Sequence, residues 1–174
     1  MTTWQGRLRQ TLQQITAWSQ PVQDDQAALY LSAAEFHLYR RMARSERQHH
    51  LRVFNDLRRG GHTHLSLLKA ALLHDVGKMR YRFWMPERVL VVLAKKFLPR
   101  KFAQWSQTPP PYGWKRPFVI SVHHPAWSAE MTAAVGTDPL TIELIARHQT
   151  PLPSTPQTEA DHLLMLLQAA DDRS

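Results

Sequence analysis

The chain has no cysteine among its 174 residues. That excludes disulfides and thiolate metal sites, so any metal must be held by His, Asp or Glu. Glycine is scarce, six in all, and none sits in a phosphate-cradling loop, a dinucleotide fingerprint or a G-x-S-x-G nucleophile turn. Long apolar runs are missing too. The longest, residues 89–94, falls far short of the roughly 18 needed to span a bilayer. The first residues lack an apolar signal core followed by a small-residue cleavage site. From these absences we expect a soluble, cytoplasmic protein. Period-two alternation never persists long enough to demand a strand, and no internal repeat or low-complexity tract is present, so the expected fold class is all-α.

Acid is scarce in one region. From Arg80 to Arg116 there are nine Lys/Arg (Arg80, Arg82, Arg88, Lys95, Lys96, Arg100, Lys101, Lys115, Arg116) against the single acid Glu87. This segment alone accounts for the formal net charge of +8. It is interleaved with Phe83, Trp84, Phe97, Phe102, Trp105, Tyr112, Trp114 and Phe118. Such a segment favours anionic partners: a phosphorylated ligand, nucleic acid stacked on the aromatics, or an acidic membrane surface.

What is present is a series of helix signals. Trp4, Leu8, Leu12, Ile15 and Trp18 mark one face of an amphipathic N-terminal helix, expected as an extension over residues 1–25 that packs across a main domain of residues 26–174. Ser32-Ala33-Ala34-Glu35 fits a capping box and opens a helix with Phe36, Tyr39 and Met42 on its stripe. Helical pattern continues over residues 45–59 until Gly60-Gly61. A third helix is expected over residues 65–75, with Gly77 placed to end it. Pro86, Pro125, Asp138-Pro139 and Thr155-Pro156 mark four further starts. An irregular loop is expected between Pro99 and Tyr112-Gly113, through Pro109-Pro110-Pro111.

The candidate chemistry lies in histidines and aspartates at helix ends and on apolar faces. His74-Asp75 closes an apolar helix, and Lys78 follows the Gly77 break. An acid at a helix C-terminus opposes the macrodipole, so Asp75 wants a compensating cation. Asp171 sits one turn beyond Leu167 on the stripe of the last helix, where a carboxylate needs pairing or a metal. His49 precedes Leu51 and Val53, His124 precedes Pro125, and His148 ends the helix carrying Leu140 and Leu144. These are six N and O ligands for one or two divalent ions, with Mn, Fe, Co, Mg and Zn all admissible. His37, His62, His64 and His162 lack such placement.

The order His49-His50-Leu51-Arg52-Val53, then Leu72-Leu73-His74-Asp75-Val76-Gly77-Lys78, then Ala170-Asp171, resembles the HD superfamily of metal-dependent phosphohydrolases over roughly residues 36–172. The resemblance implies a helical bundle and a primary metal shell of His49, His74, Asp75 and Asp171. The His-x-Leu-x-Val form points to His49 rather than His50. His124-Pro125 and His148 resemble the extra histidines of a subset that binds a second ion, with Asp75 bridging. The Gly-Tyr-Pro motif of the cyclic-dinucleotide branch is absent, since Arg147-His148-Gln149-Thr150 runs into Pro151-Leu152-Pro153. The implied activity is hydrolysis of a phosphoester or nucleotide, with Asp75 orienting water and Lys78, or less directly Arg52, holding a phosphate oxygen. A non-catalytic ligand-sensing module of the same fold is the alternative.

Overall fold

The structure is a computed structural model that describes residues 22–81, 83–107, 112–153 and 155–174. The expected N-terminal helix of residues 4–18 and the triproline lie outside the described residues. Among the described residues there are α-helices and 3₁₀ turns and no strand, so the all-α expectation holds. The helices are α1 (Asp24–Ala28), α2 (Ala33–Arg40), α3 (Arg44–Arg59), α4 (Leu65–Leu73), α5 (Met85–Phe97), α6 (Pro99–Trp105), α7 (Arg116–Ala133), α8 (Pro139–Arg147) and α9 (Glu159–Arg173). A 3₁₀ turn over Val76–Arg80 joins α4 to α5, and another over Gly113–Lys115 leads into α7.

Several starts follow the local chemistry. The Ser32 hydroxyl accepts from the Glu35 amide at 3.2 Å, and the Glu35 carboxylate accepts from the Ser32 amide at 2.8 Å, a closed capping box that satisfies two otherwise orphaned donors. Asp138 caps α8 through the Thr141 amide at 2.9 Å, with Pro139 in the first turn. Pro86 occupies the first turn of α5.

Four expectations need correction. Pro125 does not start a helix; it lies inside α7, whose first turn takes Pro117 instead. The last helix is capped by Thr158, not by Thr155-Pro156. The stretch after Pro99 is not all loop: Pro99 opens the short helix α6. Helix α4 stops at Leu73, and Asp75 already belongs to the following turn, with φ −107° and ψ 8°.

Gly77 is required by packing rather than as a helix stop. A Cβ there would meet the His124 carbonyl oxygen at 2.4 Å and the Ser128 amide nitrogen at 2.6 Å. The turn therefore lies directly on the backbone of α7, and the Gly77 amide donates to Ser128 Oγ at 2.8 Å.

The main core joins α2, α3, α4, α8 and α9. Tyr39, Leu57, Leu67, Leu68, Leu72, Leu144, Ile145, Leu164 and Leu167 are all essentially sealed from solvent. Burial of large aliphatic side chains is the main stabilising term for such a bundle. A smaller cluster of Val91, Ala94 and Phe118, with Phe83, Phe102 and Trp105 against it, fastens α5 and α6 to α7.

Candidate metal centre

The centre forms where α3, the end of α4, α7, α8 and α9 converge. On α3, Glu46, His50, Val53, Phe54 and Leu57 fill the buried face, and His49 stands one step round the helix. His74 caps α4 and is buried, as is Asp75. His124 comes from the middle of α7, not from a helix N-terminus. His148 caps α8, and Asp171 comes from the last turn of α9.

All six sequence-selected residues are brought together. His49 Nε2 lies 2.9 Å from Asp171 Oδ1, and His74 Nε2 lies 3.6 Å from both Asp171 Oδ1 and Asp75 Oδ2. His124 Nε2 lies 3.0 Å from Asp75 Oδ1, and His148 Nε2 lies 3.5 Å from that same oxygen. The two Asp75 oxygens thus face opposite ways. One meets His124 and His148; the other meets His74, His50 at 3.9 Å, and the Lys78 ammonium.

His50 is a member that the motif reading passed over. It is fully buried, and neither ring nitrogen has a hydrogen-bond partner among the described residues. The signal was present: His50 lies on the i, i+3/i+4, i+7 row with Glu46, Val53, Phe54 and Leu57 that faces inward. Ligand atoms of His49, His50, His74 and Asp75 fall within 4.8 Å of one another, and so do those of Asp75, His124 and His148.

The imidazoles are oriented by their outer nitrogens. Nδ1 of His74 faces the Ala71 carbonyl at 3.2 Å, Nδ1 of His124 faces Ile120 at 3.1 Å, and Nδ1 of His148 faces Ile145 at 2.7 Å. A carbonyl only accepts, so each Nδ1 carries the proton and donates. In the neutral rings Nε2 then presents a lone pair to the interior. That arrangement orients metal-binding histidines.

Burial depresses His124 to about 4, against the opposing pull of Asp75, and so keeps it neutral. Its Nε2 lone pair then accepts from the Gln149 side-chain amide at 3.3 Å and faces the His148 Nε2 at 3.2 Å and the Asp75 oxygen at 3.0 Å. The Asp75 Oδ1 approach does not have hydrogen-bond geometry, and His74 Nε2 is likewise unpartnered. The buried Asp75 Oδ1 is thus an inward-facing acceptor without a donor, which asks for a cation.

Opposite charges dominate the electrostatics of the centre. Burial lowers His50 to about 4, with the charge of His74 adding to it. Burial also disfavours charge on His74, but Asp75 and Asp171 outweigh it and raise the group to about 9. Burial would raise Asp75, yet Lys78 and His74 hold its carboxyl well below the usual carboxylate range. Glu46 is lowered to about 2, because Lys78 and Arg88 overcome its burial.

His49, Asp75, His124, His148 and Asp171 line an open cavity of about 580 Å³ together with Glu46, Lys78, Arg88 and Lys95, while His50 and His74 lie behind its wall. Glu46 and Arg88, paired with each other across it, were not found from sequence because they lie 42 residues apart. Arg52 does not line the cavity. The donor set contains only imidazole nitrogen and carboxylate oxygen, which suits Mn, Fe, Co or Zn and, with fewer nitrogens, Mg.

A family model for the HD domain matches residues 47–174. None of the curated proteins and none of the solved structures compared with the chain matches it. The matched span contains every residue of the two ligand groups and most of the main core. Members of this family are typically metal-dependent phosphohydrolases that act on phosphorylated substrates. With the match covering well over half of its length, the chain belongs to the HD domain family.

Proposed function

We propose that the protein is a metal-dependent phosphohydrolase acting on a phosphoester or nucleotide. The observation that carries this reading is the two-sided environment of Asp75, with a histidine pair on one carboxylate oxygen and a second histidine group on the other. His49, His50, His74, Asp75 and Asp171 would hold one divalent ion, and Asp75, His124 and His148 a second. When bound, such ions lower the pKa of water and neutralise charge on phosphoryl oxygens.

The chain's own residues supply the rest. Lys78 is a half-buried cation at the cavity wall, held by Asp75 and by the charge of Glu46. It presents a point charge to a phosphate oxygen. Arg88 and Lys95 on α5 add positive charge to the same lining, which draws anionic substrates in. Asp75 accepts from and orients water in the same space. The cavity volume is in the range that encloses a small phosphorylated molecule or a mononucleotide.

The test is metal content followed by turnover. Purified protein should carry or take up Mn, Co or Fe and then hydrolyse phosphomonoesters, phosphodiesters or nucleotides, and Asp75→Ala should lose both properties. Hydrolysis that survives Asp75→Ala would sink the assignment. Stoichiometric metal and ligand binding with no turnover under any ion would make the domain a sensing module instead.

A further inference from the structure

Helix α5 has two unlike sides. One side packs Val91 and Ala94 onto Phe118 and sends Arg88, Val92 and Lys95 into the wall of the cavity. The other is apolar and open to solvent: Val89 is 49%, Leu93 47% and Phe97 65% exposed, with Leu90 and Leu98 at similar values. Val89, Leu93 and Phe97 stand at i, i+4 and i+8, and Leu90 is at i−3 to Leu93, so they form one outward stripe. A surface helix normally shows the reverse, with its polar residues outward. Lys96, Arg100 and Lys101 border this stripe and are exposed. Among the described residues no carboxylate pairs with these three. The one acid of the segment, Glu87, is held by Arg116.

We propose that this stripe and its basic border dock the protein on an anionic lipid surface. The aliphatic residues suit the boundary between headgroups and acyl chains, and the lysines and arginine suit headgroup phosphates. Two other anionic or apolar occupants fit less well. A nucleic acid would need aromatic platforms, but Phe102, Trp105 and Phe118 pack on one another, with ring centroids 5.1–6.0 Å apart, and the exposed Trp84, Tyr112 and Trp114 lie outside helix α5. The open stripe is aliphatic apart from Phe97. A second copy packed face to face would set the unpaired Lys96, Arg100 and Lys101 against their own equivalents. Because α5 is also a wall of the cavity, docking would hold the cavity beside the membrane.

Vesicle sedimentation tests this without relying on turnover, so its failure is separable from failure of the hydrolase reading. The full chain should sediment with phosphatidylcholine vesicles containing phosphatidylglycerol, not with phosphatidylcholine alone, and binding should weaken with salt. Leu93→Asp, Phe97→Asp and the combined Lys96→Glu, Arg100→Glu, Lys101→Glu variant should each weaken binding by about tenfold or more. All these positions are exposed, so circular dichroism should match the parent, and hydrolysis of a soluble substrate should be unchanged. Failure to bind phosphatidylglycerol vesicles at low salt overturns the proposal. Binding that is lost with the charge reversals yet untouched by both aspartates also overturns it, since that is adsorption without docking. A dimer abolished by Phe97→Asp, with no vesicle binding, assigns the face to a second copy. Ready disulfide formation between Leu12→Cys and Leu93→Cys in this otherwise cysteine-free chain, with no vesicle binding, assigns it to the chain's own N-terminal stripe.

Discussion

Replacing Gly77 with alanine should prise the Asp75 turn away from α7. The new Cβ would sit 2.4 Å from the His124 carbonyl oxygen, 2.6 Å from the Ser128 nitrogen and 2.8 Å from the Ser128 hydroxyl. Two of these three atoms are backbone in the middle of a long helix, so no side-chain rotation relieves them. Reaching ordinary contact near 3.4 Å requires the turn and helix to part by about 1 Å. Overpacking of this kind costs about 1–3 kcal/mol. Separation also weakens the buried bond from the Gly77 amide to Ser128 Oγ, and an orphaned buried donor costs about 1–3 kcal/mol. The reduced freedom of the unfolded chain returns about 0.4–1 kcal/mol. The net loss is about 3 kcal/mol, or roughly 6–12 °C in Tm for a domain of this size.

Urea and thermal unfolding followed by far-ultraviolet circular dichroism would measure it. Gly136→Ala is the matched control, because that glycine has nothing within 4 Å of a new Cβ and only its φ of +80° to oppose substitution. It should cost about 1–2 kcal/mol. Ser128→Ala removes the hydroxyl contact but not the backbone ones, so it should not rescue Gly77→Ala. A Gly77→Ala loss within about 0.5 kcal/mol of zero, or full rescue by Ser128→Ala, would refute the reasoning. The same displacement separates Asp75 from His124, so the variant should lose metal from the His124–His148 side before the other.

Other expectations follow from the same geometry. Saturating Mn, Co or Zn should raise Tm by roughly 5–10 °C over chelator-treated protein, because a ligand at a hundred times its Kd adds about 2.7 kcal/mol; differential scanning fluorimetry showing no shift with any divalent ion would count against the site. Lys78→Met removes the cation beside Asp75 and leaves Glu46 to Arg88 alone, so metal-free stability should fall by about 3 kcal/mol and recover in part on adding metal; an unchanged urea midpoint would be the contrary result. Glu35 is pushed up by burial, but hydrogen bonds from the Ser32 amide and Lys69 bring it below its ordinary value of 4.5. A lowered folded pKa gives stability that is complete above the unfolded value and lost as pH falls through the folded one. Glu35→Gln should therefore flatten the urea midpoint between roughly pH 5 and pH 3, and equal slopes for the two proteins would refute this.

Sequence and structure agree where a local interaction decides the outcome. The Ser32–Glu35 box and the Asp138 cap each involve residues three apart, so both could be read directly. Pro125 misled because a proline is costly inside an isolated helix, about 3 kcal/mol. Here α7 is held on both flanks by tertiary packing, with Phe118, Ile120 and Ser128 all buried, and that packing overrides the local preference. Residues 155–156 carried a plausible start, but Thr158 with Asp161 makes the closed capping box. The site residues were visible as types in order. Their pairing was not, since Asp75 meets His124 and His148 across 49 and 73 positions of chain, and distances of that kind depend on how the helices pack.

The His-Asp pair shows how a motif and its geometry come apart. On a continuing helix, adjacent side chains diverge by about 100°, and His74 and Asp75 would face different neighbours. They share a centre because α4 ends at Leu73 and Asp75 takes up a bridge-region conformation, one that active-site residues often occupy. A turn that tight needs support, and α7 supplies it through the Ser128 hydroxyl on the Gly77 amide. Only a residue without a side chain lets the two backbones lie that close. Gly77, rather than either charged residue, is thus what brings the second oxygen of Asp75 to His124 and His148. A variant that kept every ligand but enlarged position 77 would keep the motif and lose the two-sided carboxylate.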